Sequence, residues 1–269
     1  MKYGKVMLFA GVVLLESIQI SKSATANFVK NGVDWGTSYY NPDVIADPAL
    51  YDKLPTATGL TSPLWAVNSN SVSTTAVIEN YVRISTSGTQ TDSYKTSAGF
   101  DPLLTGSLTV ETRLRVVSVA SGSVRAGSFV LNLGGYWIDF NISGSSIGTS
   151  AESSLLTGLN LTEWTTIRFT IADATTAPTL SIYLNNSATP AATTTKFNTG
   201  TTATNIIFGD ASQSTATGGV MDWDYIAWTS NGAVAPVPEP AGQAMLGLSG
   251  VMIVFALRRL VGSKSSERL

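Results

Sequence analysis

The stretch LTVETRLRV, residues 108–116, decides the fold. Successive side chains of a strand point to opposite faces, so Leu108, Val110, Leu114 and Val116 share one side and Glu111, Arg113 and Arg115 the other. A helix would scatter these residues around its circumference. A period of two over nine residues is the signature of a half-buried strand.

The same alternation recurs outward along the chain. Tyr136, Ile138 and Phe140 oppose Trp137, Asp139 and Asn141; Ile167, Phe169 and Ile171 oppose Trp164 and Arg168; Leu180, Ile182 and Leu184 oppose Tyr183. The pattern predicts strands at 81–85, 107–117, 128–133, 136–142, 164–172, 179–185, 205–208 and 220–229, separated by turns rich in Gly, Asn or Ser. Residues 27–235 carry 33 Thr and 25 Ser, a composition suited to strands and turns. One short helix is expected at 47–54, where Asp47 precedes Pro48. Segments 188–195 and 211–218 read as exposed loops or edge strands. An all-β, two-sheet sandwich follows.

The two ends read as addresses. Residues 1–26 place Lys2 and Lys5 before an apolar run and end on Ala24-Thr25-Ala26, the pattern of a signal peptide cut by signal peptidase before Asn27. Near the other end Pro238-Glu239-Pro240 precedes an uncharged stretch, about 241–257, and then Arg258-Arg259. Seventeen residues at 1.5 Å each cover about 26 Å, enough to span with the flanks, and the Arg pair holds that side in the cytoplasm. The order Pro-Glu-Pro, apolar helix, basic cluster resembles the PEP-CTERM sorting signal of exopolysaccharide-producing Gram-negative bacteria. That resemblance covers 236–269 and implies an exosortase-type membrane protease as partner. The inner membrane would then hold the chain transiently before release to the cell surface or beyond.

A second resemblance covers the middle. Trp65, LTVETRLRV (108–116), WTTIRFTI (164–171), LSIYLNN (180–186), IIFGD (206–210) and MDWDYIAWT (221–229), in this order, look like a concanavalin A-like jelly roll of the laminin-G and family-16 glucanase superfamily. In such a roll one polar face forms a concave groove. Flat aromatic rings beside hydrogen-bonding side chains suit sugar recognition, which makes Trp137, Asp139, Tyr183, Arg113 and Arg168 the candidates. Glu111 with Arg113 or Arg168 reads equally as cross-strand ion pairing. The resemblance also implies a structural Ca²⁺ held by Asp224, with Asp222 as a substitute.

The inventory narrows the chemistry. With no His and no Cys, the chain has no disulfide, thiol nucleophile, Ser-His-Asp triad or His-ligated metal. The family-16 catalytic pattern of closely spaced carboxylates is missing, and Glu79, Glu111, Glu152 and Glu163 have no acidic neighbour two to four residues away. No basic stripe serves nucleic acid. Residues 27–238 carry fifteen acidic against nine basic side chains, which disfavours capture of polyanions. The expectation is an exported surface or matrix protein, a non-catalytic glycan-binding or structural component associated with exopolysaccharide, with neutral polysaccharide as partner. A secreted polysaccharide hydrolase or lyase, and a purely structural adhesin, are the alternatives.

Overall fold

The computed structural model describes residues 65–68, 81–86, 92–96, 100, 105–212 and 214–237, with the backbone of four short strands at 29–30, 33–34, 39–40 and 75–78. The signal peptide with Ala24 and Ala26, the short helix at 47–54, and the sorting segment with Pro238, Glu239, Pro240, Arg258 and Arg259 lie outside the described residues.

In chain order the strands are β1 (Val29–Lys30), β2 (Val33–Asp34), β3 (Tyr39–Tyr40), β4 (Trp65–Val67), β5 (Thr75–Ile78) and β6 (Tyr81–Thr86). There follow β7 (Asp92–Thr96), β8 (Leu108–Val119), β9 (Gly127–Leu133), β10 (Tyr136–Ile142), β11 (Ser146–Thr149) and β12 (Leu156–Thr157). The last six are β13 (Thr165–Ala172), β14 (Thr179–Leu184), β15 (Ala192–Thr194), β16 (Asn198–Thr199), β17 (Thr204–Asp210) and β18 (Gly219–Thr229). Among the described residues there is no helix.

Two eight-stranded sheets result, with antiparallel pairing throughout. The front sheet runs β12-β11-β10-β9-β17-β7-β4, with β16 beside β10. The back sheet runs β15-β14-β13-β8-β18-β6-β5, with β3 beside β18. The late strands β17 and β18 insert between early ones, β9 and β7 in front and β8 and β6 behind. That interleaving is the long return connection of a Greek key, and the fold is a sandwich of the jelly-roll kind.

The core lies between the sheets. Leu108, Val110, Leu114 and Val116 are all buried in it, as the alternation requires. Phe140 of the front sheet stacks on Phe169 of the back sheet at 4.4 Å, and Phe129 stacks on Phe169 at 5.4 Å. Trp223 meets Phe208 edge-on at 5.2 Å. Truncating any of these rings would cost about 3–5 kcal/mol.

All eight predicted strands form, with ends moved by one or two residues. The edge reading of 188–195 materialises as β15. Two strands inside the front sheet escaped the pattern, β11 and β7; in β7, Asp92-Ser93-Tyr94-Lys95-Thr96, the row on the side of the core residue Tyr94 is Asp92, Tyr94 and Thr96. Its buried side carries as much polar as apolar chemistry, so alternation of hydrophobicity is silent there.

A bulge in β18 sets the outer face of the back sheet. Trp223 pairs with Leu114 and Tyr225 with Arg113, so Asp224 has no opposite number. Met221 and Trp223 enter the core before the bulge, and Ile226 and Trp228 after it. The extra residue shifts the parity of the strand by one, which aims both Asp224 and Tyr225 at the outer face.

Candidate functional site

On the outer face of the front sheet β10 carries Trp137, Asp139 and Asn141, all half-buried, in one row. Register sets Asn132 of β9 opposite Trp137, Val130 opposite Asp139, and Asn205 and Ile207 of β17 opposite Asn132 and Val130. Asn132 Nδ2 donates to Asn205 Oδ1 at 2.8 Å, tying the strands together on this side. Ser128, Val130, Asn132, Trp137, Asp139, Thr201 and Ser212 help line a groove of about 370 Å³. A second hollow of about 260 Å³ is lined in part by Asn141 and Arg125.

Two acceptors on this row lack partners. Asp139 Oδ1 and Asn141 Oδ1 are shielded from solvent and receive no hydrogen bond. Burial raises the pKa of Asp139 above the ordinary carboxylate value, while the charge of Arg125 partly offsets the rise. A buried carboxylate oxygen with no donor costs free energy until something donates to it. Here it sits beside an aromatic ring in an open groove.

The outer face of the back sheet is a closed account. Arg168, only 1% exposed, donates from Nε to Glu111 Oε2 at 2.7 Å, and the Tyr225 hydroxyl donates to Glu111 Oε1 at 2.6 Å. Burial, and next the charge of Glu111, raise the pKa of Tyr225 and keep it protonated. Residues after β18 fold back over this cluster: Thr109 Oγ1 donates to the Gly232 carbonyl at 2.7 Å, and the Val234 amide donates to Thr109 Oγ1 at 2.8 Å. Tyr183 is buried beside Arg168 as its register partner.

Further along that face lies an arginine–aspartate ladder. Asp222, fully buried, accepts from Arg83 Nε at 2.7 Å and Nη2 at 2.8 Å, and from Arg115 Nε at 2.8 Å. Asp224 accepts from Arg113 Nη1 at 2.7 Å. The guanidinium groups of Arg113 and Arg115 lie 5.0 and 4.8 Å from the ring centre of Trp164, a cation–π arrangement.

The five sugar-binding candidates are therefore divided. Trp137 and Asp139 stand together on the front face; Arg113, Arg168 and Tyr183 belong to the back sheet, where Arg168 and Tyr183 are buried and Arg113 is paired. Alternation gave each residue its face of its own strand but not which sheet that strand joins. The two aspartates expected to hold Ca²⁺ both meet arginines in the structure. Both oxygens of Asp222 accept from guanidinium groups, and Asp224 Oδ2 accepts from Arg113. Asn132, Thr201 and Ser212 carry no mark of the site in the sequence, although the parity of 128–133 already sets Ser128, Val130 and Asn132 on the side opposite Phe129, Leu131 and Leu133.

No protein-family model matches the chain, and no curated protein matches it in sequence. Among solved structures it is similar to the carbohydrate recognition domain of Emp47p (15% identity, 66% of this chain and 93% of that one, TM-score 0.39). It is also similar to domain 4 of AbnA, a GH43 extracellular arabinanase from Geobacillus stearothermophilus, in complex with arabinotriose (16%, 74% and 94%, TM-score 0.43). A third is the Ca²⁺/Man-bound exoplasmic/lumenal domain of VIP36 (11%, 65% and 87%, TM-score 0.42). The sandwich described above rests on its own strand pairing.

Proposed function

We propose that this chain is an exported cell-surface or extracellular-matrix protein whose sandwich is a non-catalytic glycan-binding module. Its groove would be the front face around Trp137. The observation that carries the reading is a groove in which Trp137 and Asp139 share one lining with Asn132, Thr201 and Ser212. Sugar hydroxyls donate to carboxylates and amide oxygens, and the apolar face of a pyranose covers an indole. Asn132, Thr201 and Ser212 add donors and acceptors around it. Glycosidase chemistry uses two carboxyl groups about 5 Å or more apart across the scissile bond. Asp139 is the one carboxylate lining the groove among the described residues, which supports binding over hydrolysis.

Export rests on the N-terminal Lys2-Lys5, apolar run and Ala24-Thr25-Ala26. Sorting by an exosortase-type protease, and association with exopolysaccharide, rest on Pro238-Glu239-Pro240 followed by the apolar stretch and Arg258-Arg259. The deciding experiment is a glycan array with the purified protein, Trp137→Ala and Asp139→Asn. Binding to a neutral glycan that both substitutions weaken is expected. Binding indifferent to both, or release of reducing ends from a polysaccharide, would overturn the reading. Sequencing the N-terminus of the exported protein should begin at Asn27.

A further inference from the structure

Asp210 closes β17 and pairs directly with Asp92, which opens β7. Residues so paired in antiparallel strands carry their Cβ atoms about 4.5–5.5 Å apart, and like charges there repel. Asp92 is 4% exposed and Asp210 0%. Asp210 Oδ1 accepts from the Ser212 amide at 2.9 Å and hydroxyl at 3.1 Å. Asp210 Oδ2 and Asp92 Oδ1 are buried and receive nothing. The strands approach closely here because Gly209, at φ +113°, has no Cβ; one would collide with the Asp92 carbonyl.

Arg125 offsets the charge of Asp210 only in part and does not bond to either carboxylate. Its Nε donates to Thr217 Oγ1 and its Nη2 to Ser212 Oγ at 3.2 Å, and it forms no ion pair among the described residues. Two buried carboxylates thus occupy paired positions on neighbouring strands, with one bare oxygen apiece and a combined charge of about −2 when both are ionised.

We propose that Asp92 Oδ1 and Asp210 Oδ2 hold a hard divalent cation, Ca²⁺ or Mg²⁺, that pins β7 to β17 at the end of the front sheet. Oxygen-only ligation is the chemistry of these ions, and backbone carbonyls and water normally complete their shells. No group of three or more His, Cys, Asp or Glu side chains that could hold a metal ion gathers among the described residues, so the carboxylate contribution there is these two. The site is separate from Asp222 and Asp224, and the inference does not depend on glycan binding.

The test is thermal unfolding of the purified full-length protein, stripped with EDTA and dialysed, then titrated with CaCl2 or MgCl2, beside calorimetric titration for stoichiometry. A saturable rise in Tm of about 5 °C or more at hundredfold excess over Kd is expected for one of the two ions, at one ion per chain. Asp92→Asn and Asp210→Asn should each abolish the rise, and Asp224→Asn should keep it. The wild-type titration is informative even if a variant fails to fold. Absence of any rise overturns the proposal, as does a rise that survives both Asn substitutions. A protein indifferent to metal but more stable towards pH 5 would mean that the pair shares a proton instead.

Discussion

The two outer faces of the sandwich are written in the same alphabet and differ in their accounts. On the back face Glu111, Arg168, Tyr225, Asp222, Arg83, Arg115, Asp224 and Arg113 are all engaged with one another, and residues 232–234 close over part of them. On the front face Trp137 is half-exposed and the oxygens of Asp139 and Asn141 are left over. A polar face whose groups are mutually satisfied stabilises register. A polar face with unmatched acceptors in a groove is prepared for something else to supply the donors.

Substitutions separate these roles. The largest effect is expected at Glu111: Glu111→Ala strands the buried Arg168 charge and the Tyr225 hydroxyl, and should cost about 3–5 kcal/mol in denaturant unfolding without touching the groove. Asp222→Asn weakens a carboxylate shared by two guanidinium groups that are each 30% exposed, and about 1–3 kcal/mol is expected by the same measurement. Equal stability of these two variants and wild type would erase the contrast between the faces.

The front face should respond in the opposite sense. Trp137→Ala is expected to cost less than about 1 kcal/mol of stability and at least about tenfold in glycan affinity, measured by calorimetric titration. The smallest stability effect belongs to Asp139→Asn. Burial holds the folded-state pKa of Asp139 above its unfolded value, so the ionised form costs stability at neutral pH and that cost disappears as pH falls through the raised pKa. The Asn variant should therefore be as stable as wild type or more so at pH 7. It should bind glycan more weakly there and lose whatever decline in affinity wild type shows on acidification. A variant less stable than wild type at pH 7 would mean that Asp139 has a structural partner.

Much of the back sheet is legible in the sequence. The parity of 108–116 and of 164–171 names the core residues, and cross-strand pairing of Glu111 with Arg168 stood among the readings of the sequence. The β18 bulge had a trace as well: Met221 and Trp223 are odd, Ile226 and Trp228 are even, and only an inserted residue reconciles them. Strand β7 left no such trace, because Asp92 occupies a buried position usually given to an apolar side chain. With β7 unseen, its pairing with β17 and the meeting of Asp92 with Asp210 were out of reach.

What the sequence determined by itself is local. Strand parity follows from the two-residue repeat of the pleat, and the absence of His and Cys restricts any site to carboxylates, guanidinium groups, amides, hydroxyls and aromatic faces. Only the tertiary structure decided which outward residues are neighbours. Trp137 and Tyr183 have the same parity signature, yet β10 and β14 lie in different sheets, and arginines from other strands bond to Asp222 while Asp139 Oδ1 receives no hydrogen bond. Parity is set by covalent geometry within a few residues, whereas satisfaction of a polar group depends on sheet order and register between strands more than a hundred positions apart.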